Sequence, residues 1–307
     1  TIGKMQVSYK ESISQESERY MIFSEMIHGE PLYAHVELKI EPAQPEDFFD
    51  QKENPDGSNK VFLGENVLLF DFGQDAVFMK MYNEFKRRVK KKKISSSEER
   101  IDRVENAKDI EYEYIPVIDP HPDHFEAAMD DFGHHHISPL KNSPFENIYG
   151  VELALENALA KGPLLGAPIY HAKITLTGGR FSNERSNHRA FEMCTAELVK
   201  DLLEEAKPVI YEPVMDLQIS MPTKIVNEII HDILANRRGN IVKLEGEGRS
   251  DSDGKTLVQA TIPLEVMLDY SSYLRSFTHG EAEFTMKFKQ FEKTSETKQK
   301  EILDSNA

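Results

Sequence analysis

The last third of the chain shows a fixed order of strand and helix periodicities, which constrains the fold more than any other feature. Apolar and polar side chains alternate as in half-buried strands, and between these segments apolar residues recur on one helical face. The order is β-α-β-β-α-β, the ferredoxin-like plan, in which two helices cover one face of one sheet. The predicted segments are 215–221, 226–234, 241–247, 256–262, 266–277 and 284–288.

The middle of the chain predicts a second α/β unit. Two strand-like and two helix-like segments follow the same two periodicities. The loop between its second strand and second helix, residues 178–187, begins with two glycines and is otherwise mostly polar. The predicted segments are 32–40, 151–159, 170–176 and 191–202. We therefore expect an α+β protein made of two α/β sandwich domains.

A segment of about 100 residues, roughly 41–142, differs in amino-acid composition from both units. It combines turn-forming residues, a basic run, serines and an acidic stretch, which favours a partly disordered insertion into the first domain. Some strand or helix character appears at 67–72, 78–85 and 112–117. The predicted domains are 1–208 with the insertion, 209–293, and a polar C-terminal tail over 294–307.

Charge and cysteine content exclude several classes of protein. The chain has 37 basic and 53 acidic residues, a net charge of −16, which argues against a non-specific nucleic-acid binder with a basic face. No apolar run approaches the roughly 20 residues of a membrane span, so no membrane partner is expected. The single cysteine, Cys194, excludes an internal disulfide framework. The chain begins at Thr1 without an initiator Met, which is compatible with the removal of a targeting segment or of a whole domain from its N-terminal side.

Short catalytic motifs are absent from the sequence. There is no G-x-x-x-x-G-K-[ST] phosphate loop, no G-x-S-x-G elbow and no H-E-x-x-H. We therefore assign no catalytic residue and no metal ligand, and expect no GTP binding through a phosphate loop of this chain. A rival interpretation is a metal-dependent hydrolase, since imidazoles and carboxylates cluster within the insertion. A histidine-rich loop without metal explains the same residues: Asp119, His121, Asp123, His124, Asp130, Asp131, His134, His135 and His136.

Two basic features are candidate RNA contacts. The first is a run within the insertion, which fits phosphate binding or a solvated helix end equally well. It consists of Lys86, Arg87, Arg88, Lys90, Lys91, Lys92 and Lys93. The second is the 178–187 loop, where arginine and asparagine at a protruding tip suit phosphate and base-edge contacts. Its candidate residues are Arg180, Phe181, Ser182, Asn183, Glu184, Arg185 and His188. On composition alone, an ordinary polar surface loop explains these residues better.

Several stretches together resemble the C-terminal domains of elongation factor G. They lie in the same order over about 200 residues. The resemblance implies domains IV and V of that family, with domain IV similar to ribosomal protein S5 and domain V ferredoxin-like. The matching stretches are Gly3-Lys4 with Tyr9 and Glu11, Gly162-Pro163-Leu164-Leu165-Gly166-Ala167-Pro168, Glu212-Pro213-Val214-Met215, Arg237-Arg238-Gly239, and Pro263-Leu264 through Tyr270 to Leu274-Arg275-Ser276 and Gly280.

Departures from the translocating factor lie at the domain IV tip. Where that factor carries a tip histidine, the aligned residue here is Ser182, and its glycine-rich tip strand is not evident. The G-P-L-L-G form and the altered tip resemble the second mitochondrial elongation factor G, a family also called ribosome-releasing factor 2. That resemblance implies ribosome disassembly after termination together with ribosome recycling factor.

The resemblance also implies partners, cofactors and a location. The partners would be the mitochondrial ribosome and ribosome recycling factor, and the location the mitochondrial matrix. GTP and Mg²⁺ would bind a G domain that this chain does not contain, so the chain itself would hold no cofactor and act as a monomer. Two alternatives stay open beside the hydrolase: a translocating elongation factor G, and a binding module with no link to GTP.

Overall fold

A computed structural model describes residues 7–48, 60–71, 76–98, 137–246 and 254–306; within 76–98, side chains are described for 78–89 only. The chain divides into two compact units. The larger unit comprises residues 12–208, and the smaller unit comprises residues from Val209 onwards together with the segment that ends at Glu11. In chain order the elements are β1 (Lys10–Ile13), β2 (Ser17–Ile27), β3 (Glu30–Pro42), β4 (Lys60–Leu63), β5 (Asn66–Phe70), α1 (Ala76–Glu98), β6 (Ile137–Pro139), α2 (Phe145–Leu159), β7 (Ala172–Ser182), α3 (His188–Glu205), β8 (Pro208–Pro222), α4 (Val226–Asn236), β9 (Asn240–Gly246), β10 (Lys255–Pro263), α5 (Tyr270–Phe277), β11 (Glu283–Lys293) and α6 (Glu296–Asn306).

The smaller unit confirms the ferredoxin-like prediction. Its antiparallel sheet has the order β11-β8-β10-β9, and β1 also pairs with β8. The alternating residues of β8, such as Leu217 and Ile219, share a core with Ile229 of α4 and Tyr270 of α5. Burial of these side chains holds both helices on one face of the sheet.

Two arginines of the smaller unit, Arg237 and Arg238, form ion pairs within it. They belong to the Arg237-Arg238-Gly239 stretch that resembles a motif of the family. Arg238 donates two hydrogen bonds, of 2.7 and 3.0 Å, to the carboxylate of Glu212, whose exposed fraction is 5%. Arg237 donates to Asp232 at 2.6 Å, and its guanidinium lies 4.6 Å from the ring centre of Tyr270. Both arginines therefore stabilise the unit, since each is already paired with a carboxylate.

The C-terminal segment, which the sequence predicts as a polar tail over 294–307, is helical for most of its length. Residues 296–306 form helix α6, in which Ile302 is 3% exposed. Lys298 of this helix donates a 2.8 Å hydrogen bond to Glu265. The segment is too polar to show an amphipathic pattern, so its helical state depends on a few tertiary contacts that sequence periodicity does not reveal.

The larger unit has the strand order β2-β3-β7-β5-β4, and β6 pairs with the end of β7. Helices α1, α2 and α3 contribute side chains to one core on one face of this sheet, for example Tyr82, Leu155 and Phe191. The loops that follow β7 and precede β3 lie at the same end, because these neighbouring strands are antiparallel. This end of the sheet carries the candidate functional site.

Much of the predicted insertion belongs to the core of the larger unit. Strand β5 pairs in parallel with β7, and Val67 and Leu68 are fully buried. Phe78 and Tyr82 of α1 contact Phe70 and Phe145 through aromatic rings 5.5–5.7 Å apart. The strand or helix character predicted at 67–72 and 78–85 is confirmed by β5 and α1, whereas their assignment to an insertion outside the domain core is wrong. The predicted segment 112–117 and the histidine cluster lie outside the described residues. In the sequence, these short strands separated by turn residues resemble an insertion. Their place in the sheet is not evident there, because the partner strand β7 lies about 100 residues away.

Candidate functional site

The loop between β7 and α3, residues 183–187, is held by hydroxyl hydrogen bonds. The backbone amide of Ser182 donates to Ser186 Oγ at 2.9 Å, and Ser186 Oγ donates to the carbonyl of Tyr33 at 2.6 Å. Asn187 caps α3, because its Oδ1 accepts a 2.9 Å hydrogen bond from the amide of Ala190. The loop is therefore fixed to strand β3 on one side and to its own helix on the other.

Arg185 does not lie on the surface, which corrects its prediction as a protruding RNA contact. Its exposed fraction is 7%. Nη2 donates a 3.0 Å hydrogen bond to Ser24 Oγ, and the guanidinium carbon lies 5.8 Å from the ring centre of Tyr33. Its carbonyl also accepts a 2.9 Å hydrogen bond from the amide of Tyr33. Arg185 thus fastens the loop to the β2–β3 hairpin.

The other predicted tip residues divide into buried and exposed groups. Phe181 and Ser182 are 5% and 8% exposed: Phe181 belongs to the core of the larger unit, and the backbone amide of Ser182 donates to Ser186 Oγ. Arg180, Asn183, Glu184 and His188 are exposed. The seven residues are contiguous in space, but only these four present side chains to solvent.

The β2–β3 hairpin is a part of this end that sequence reasoning missed. Beyond the last β3–β7 pair, His35 with Arg180, the hairpin continues to its turn, about five residues or roughly 16 Å away. The turn residues His28 and Gly29 both have positive φ, 51° and 88°, as a two-residue turn between antiparallel strands requires. The His28-Gly29 pair between two segments rich in apolar residues was the available signal.

The described tip is not basic. The sequence predicts a local excess of positive charge around 178–189, but Arg185 is removed from the surface by its contacts with β2 and β3. The hairpin adds the exposed carboxylates of Glu25 and Glu30 to this end. Exposed cations and exposed carboxylates are therefore interspersed.

Two histidines near the tip have pKa values shifted in opposite directions. Contact with the carboxylate of Glu146, whose Oε1 lies 3.6 Å from Nδ1, raises the pKa of His188. Burial lowers the pKa of His35, against the opposing effect of Glu37. His188 therefore carries the positive charge more readily than an isolated histidine.

Replacing Glu146 should lower the pKa of His188 measured by NMR titration of its ring protons. Because the folded-state pKa is raised, the pair stabilises the fold below the ordinary histidine pKa of about 6.5, and this contribution is lost as pH rises through the folded-state value. Glu146→Gln should remove this pH dependence while leaving the titration of His35 unchanged. An unchanged His188 pKa would mean that the two groups are too far apart in solution to interact.

The basic run lies on helix α1, and part of it is internal. Nζ of Lys86 lies 3.0 and 3.1 Å from the two carboxylate oxygens of Glu152, which also accepts a 2.7 Å hydrogen bond from the hydroxyl of Tyr82. Arg88 pairs with Glu84 one turn earlier, and Arg87 is exposed. Lys86 is therefore corrected from an RNA contact to a structural cation, while the side chains of Lys90, Lys91, Lys92 and Lys93 lie outside the described residues.

Lys86→Ala should lower the free energy of unfolding by about 1–2 kcal/mol, because it leaves the buried Glu152 carboxylate without its cation. Arg88→Ala should cost less than about 0.5 kcal/mol, because its ion pair is exposed. Urea unfolding followed by circular dichroism would measure both values. Equal costs would show that the Lys86–Glu152 pair is no more important than a surface pair.

Candidate metal ligands do not cluster in the part of the chain that the structure describes. No group of three or more His, Cys, Asp or Glu side chains there could hold a metal ion. Burial raises the pKa of the Cys194 thiol to about 12, so this group is not a nucleophile at neutral pH. No described helix is long and apolar enough to cross a membrane.

Comparisons with known proteins match both units. Residues 139–207 match the family model "Elongation factor G, domain IV", and residues 209–302 match "Elongation factor G C-terminus". Over 160 residues the chain is 38% identical to "Elongation factor G 2" of Syntrophomonas wolfei, and 33% identical to "Elongation factor G" of both Mycoplasma genitalium and Mycoplasma pneumoniae. Each alignment covers 52% of this chain and 22% of the relative. A crystal structure of a Thermus thermophilus protein is similar in fold, with a TM-score of 0.61 and 19% identity, over 99% of this chain and 32% of that one.

Proposed function

Because residues 139–207 carry elongation factor G domain IV and residues 209–302 its C-terminal domain, we propose that this chain is the ribosome-binding C-terminal part of a translation GTPase of that family. GTP and Mg²⁺ then bind a G domain outside the chain. We infer that the chain itself contributes binding to the ribosome and transmission of the conformational change, not catalysis. The arginines of its family motif are used in internal ion pairs, and burial keeps its thiol protonated.

The finer proposal is ribosome disassembly together with ribosome recycling factor, in the mitochondrial matrix. The observation that carries it is the tip of the larger unit. Ser182 stands where the family resemblance places a histidine, and it is 8% exposed, with its amide donating to Ser186. The surface around it mixes the charges of Arg180 with those of Glu184 and the hairpin carboxylates. Such a surface suits a protein partner better than an unbroken contact with RNA phosphates.

Translocation is the second candidate, and the relatives favour it. The bacterial proteins that match over 160 residues bear the name elongation factor G. Under this alternative the changed tip still enters the small subunit, but a residue other than histidine contacts the tRNA and mRNA.

Ribosome splitting by the full-length protein distinguishes the two. Mitochondrial ribosomes would be incubated with the protein and GTP, with and without recycling factor, and the subunits resolved by sedimentation. Subunit release that requires recycling factor supports disassembly. Absence of release, together with GTP-dependent movement of mRNA in a toeprinting assay, would identify a translocase instead.

A charge reversal at the tip tests whether this end binds the ribosome at all. Arg180 is exposed, so Arg180→Glu should leave the fold intact and weaken co-sedimentation with ribosomes severalfold. Lys161→Glu is the matched control, because Lys161 is an exposed cation beyond the C-terminal end of α2, the end away from the His188–Glu146 contact. Equal binding by both variants would remove the tip from the proposal.

A further inference from the structure

Strand β2 carries three large apolar side chains on the face of the sheet that the helices leave open. Tyr20, Ile22 and Met26 are 67%, 54% and 62% exposed. The residues between them, such as Met21 and Phe23, pack into the core on the opposite face. We call the exposed set Tyr20, Ile22 and Met26 the β2 strip. Its side chains are far more exposed than side chains of this size usually are on a strand.

The edge of β2 lacks several of the features that normally protect a sheet edge, although Glu18, Arg19 and Glu25 place charges on the strand. In the described part of the chain β2 is the end strand, paired only with β3. It is 11 residues long and contains neither proline nor lysine, whereas natural edges are usually short, bulged, or interrupted by such residues. A long apolar edge of this kind accepts an added strand.

Charge identifies the kind of strand that fits. Residues 16–41 contain six glutamates but only one arginine and one lysine. Both cations are engaged within the unit: Arg19 donates to Glu205 at 2.8 Å, and Nζ of Lys39 lies 2.9 Å from carboxylate oxygens of Glu16 and of Glu41. Glu18 and Glu25 lie exposed on the same strand as the β2 strip. The edge is therefore acidic and apolar at once.

The combination of acidic and apolar side chains distinguishes between three candidate binding partners of the β2 edge. RNA is disfavoured, because the glutamates would repel its phosphates. A second copy of the chain is disfavoured, because pairing would bring two acidic hairpins together in molecules that each carry a net charge of −16. An extended protein segment with lysine or arginine beside apolar residues satisfies both the carboxylates and the β2 strip.

We propose that β2 is a docking edge to which an extended, basic segment of a protein partner adds as a further antiparallel or parallel strand. The backbone of β2 supplies hydrogen bonds, the β2 strip receives alternate apolar side chains, and Glu25, on the opposite face of the strand, receives the cations that lie between them. The proposal goes beyond the function in translation and does not depend on it.

The test uses the whole chain and a ten-residue peptide in which lysine alternates with valine or isoleucine, with binding followed by fluorescence anisotropy. We expect saturable binding that weakens as salt rises. Ile22→Lys should weaken binding about tenfold or more, since it removes a central apolar contact and adds a like charge. Val242→Lys is the matched control, because Val242 is 62% exposed on a strand of the smaller unit, and it should leave binding unchanged.

A second peptide separates strand addition from simple charge attraction. The same sequence with every backbone nitrogen methylated keeps its charge but cannot donate along either edge, so it should fail to bind in either orientation. Equal binding of the two peptides, or no effect of Ile22→Lys, overturns the proposal. Saturable binding of an RNA of similar length to the β2 strip would also overturn the proposal. A dimer of the chain that dissociates on Ile22→Lys would do the same.

Discussion

Arg185→Glu should lower the free energy of unfolding of the larger unit by about 3 kcal/mol, whereas Arg180→Glu, five residues earlier, should change it by less than about 0.5 kcal/mol. The difference arises from burial, because Arg185 is 7% exposed and Arg180 lies in solvent. The substitution removes the hydrogen bond to Ser24 and the contact with the Tyr33 ring, and places a carboxylate in the same space. A buried carboxylate without a cation is among the few changes that cost this much.

Urea unfolding of both variants, followed by circular dichroism, would measure the difference. Arg185→Lys provides the conservative comparison: it keeps the charge but loses the planar group that lies over Tyr33, so an intermediate cost of about 1 kcal/mol is expected. If Arg185→Glu proved as stable as Arg180→Glu, the guanidinium would be free in solution. The original prediction of a protruding arginine contact would then be restored.

The sequence predicts the smaller unit well because its signals are local. Each strand and helix of that unit shows its own periodicity, and short turns connect neighbours, so the order of elements is enough to select the ferredoxin-like plan. The pairing of β8 with β10 and β11 follows from this plan. Helix α6 was missed, since one buried isoleucine in a polar segment gives no pattern.

The larger unit was predicted less completely because its decisive contacts are distant in sequence. Arg185 and Ser24 are separated by 161 positions, so a count of charges near residue 185 cannot reveal that this cation is buried. Strand β5 was assigned to an insertion for the same reason, as its partner β7 lies far along the chain. Strand β2 escaped prediction because apolar side chains point to both of its faces, and the expected alternation with polar residues is lost.

The candidate site shows the same division between local and distant information. The composition of residues 178–188 correctly indicates a polar βα loop, and Asn187 caps the following helix. Which side chains of this loop are accessible depends on tertiary packing: Phe181 belongs to the core, and Arg185 is held against the β2–β3 hairpin. Local composition therefore locates the site, while tertiary packing decides its chemistry.

Gly179→Ala should lower the free energy of unfolding of the larger unit by about 2–4 kcal/mol. Gly179 lies in β7 with φ of +144°, a conformation that residues with a Cβ rarely adopt. A Cβ at this position would lie 2.3 Å from the carbonyl oxygen of His35 and 3.1 Å from Cδ2 of Leu140. The first of these atoms belongs to the backbone of the paired strand β3, so relief requires β3 and β7 to separate at the irregularity that positions the tip loop.

Gly178→Ala is the matched control, since it adds the same methyl group one residue earlier. There the nearest atom is Oε2 of the Glu37 side chain, 2.7 Å from the added Cβ, and the half-buried carboxylate can rotate away. We expect a cost below about 1 kcal/mol for Gly178→Ala. Amide hydrogen exchange would localise the effect: Gly179→Ala should accelerate exchange in β3 near Val36 and at the Ser182–Ser186 turn, because separation of the strands frees the hydroxyl hydrogen bonds that fix the loop. If the two variants cost the same and leave these amides protected, the close approach of β3 and β7 does not hold the tip in place.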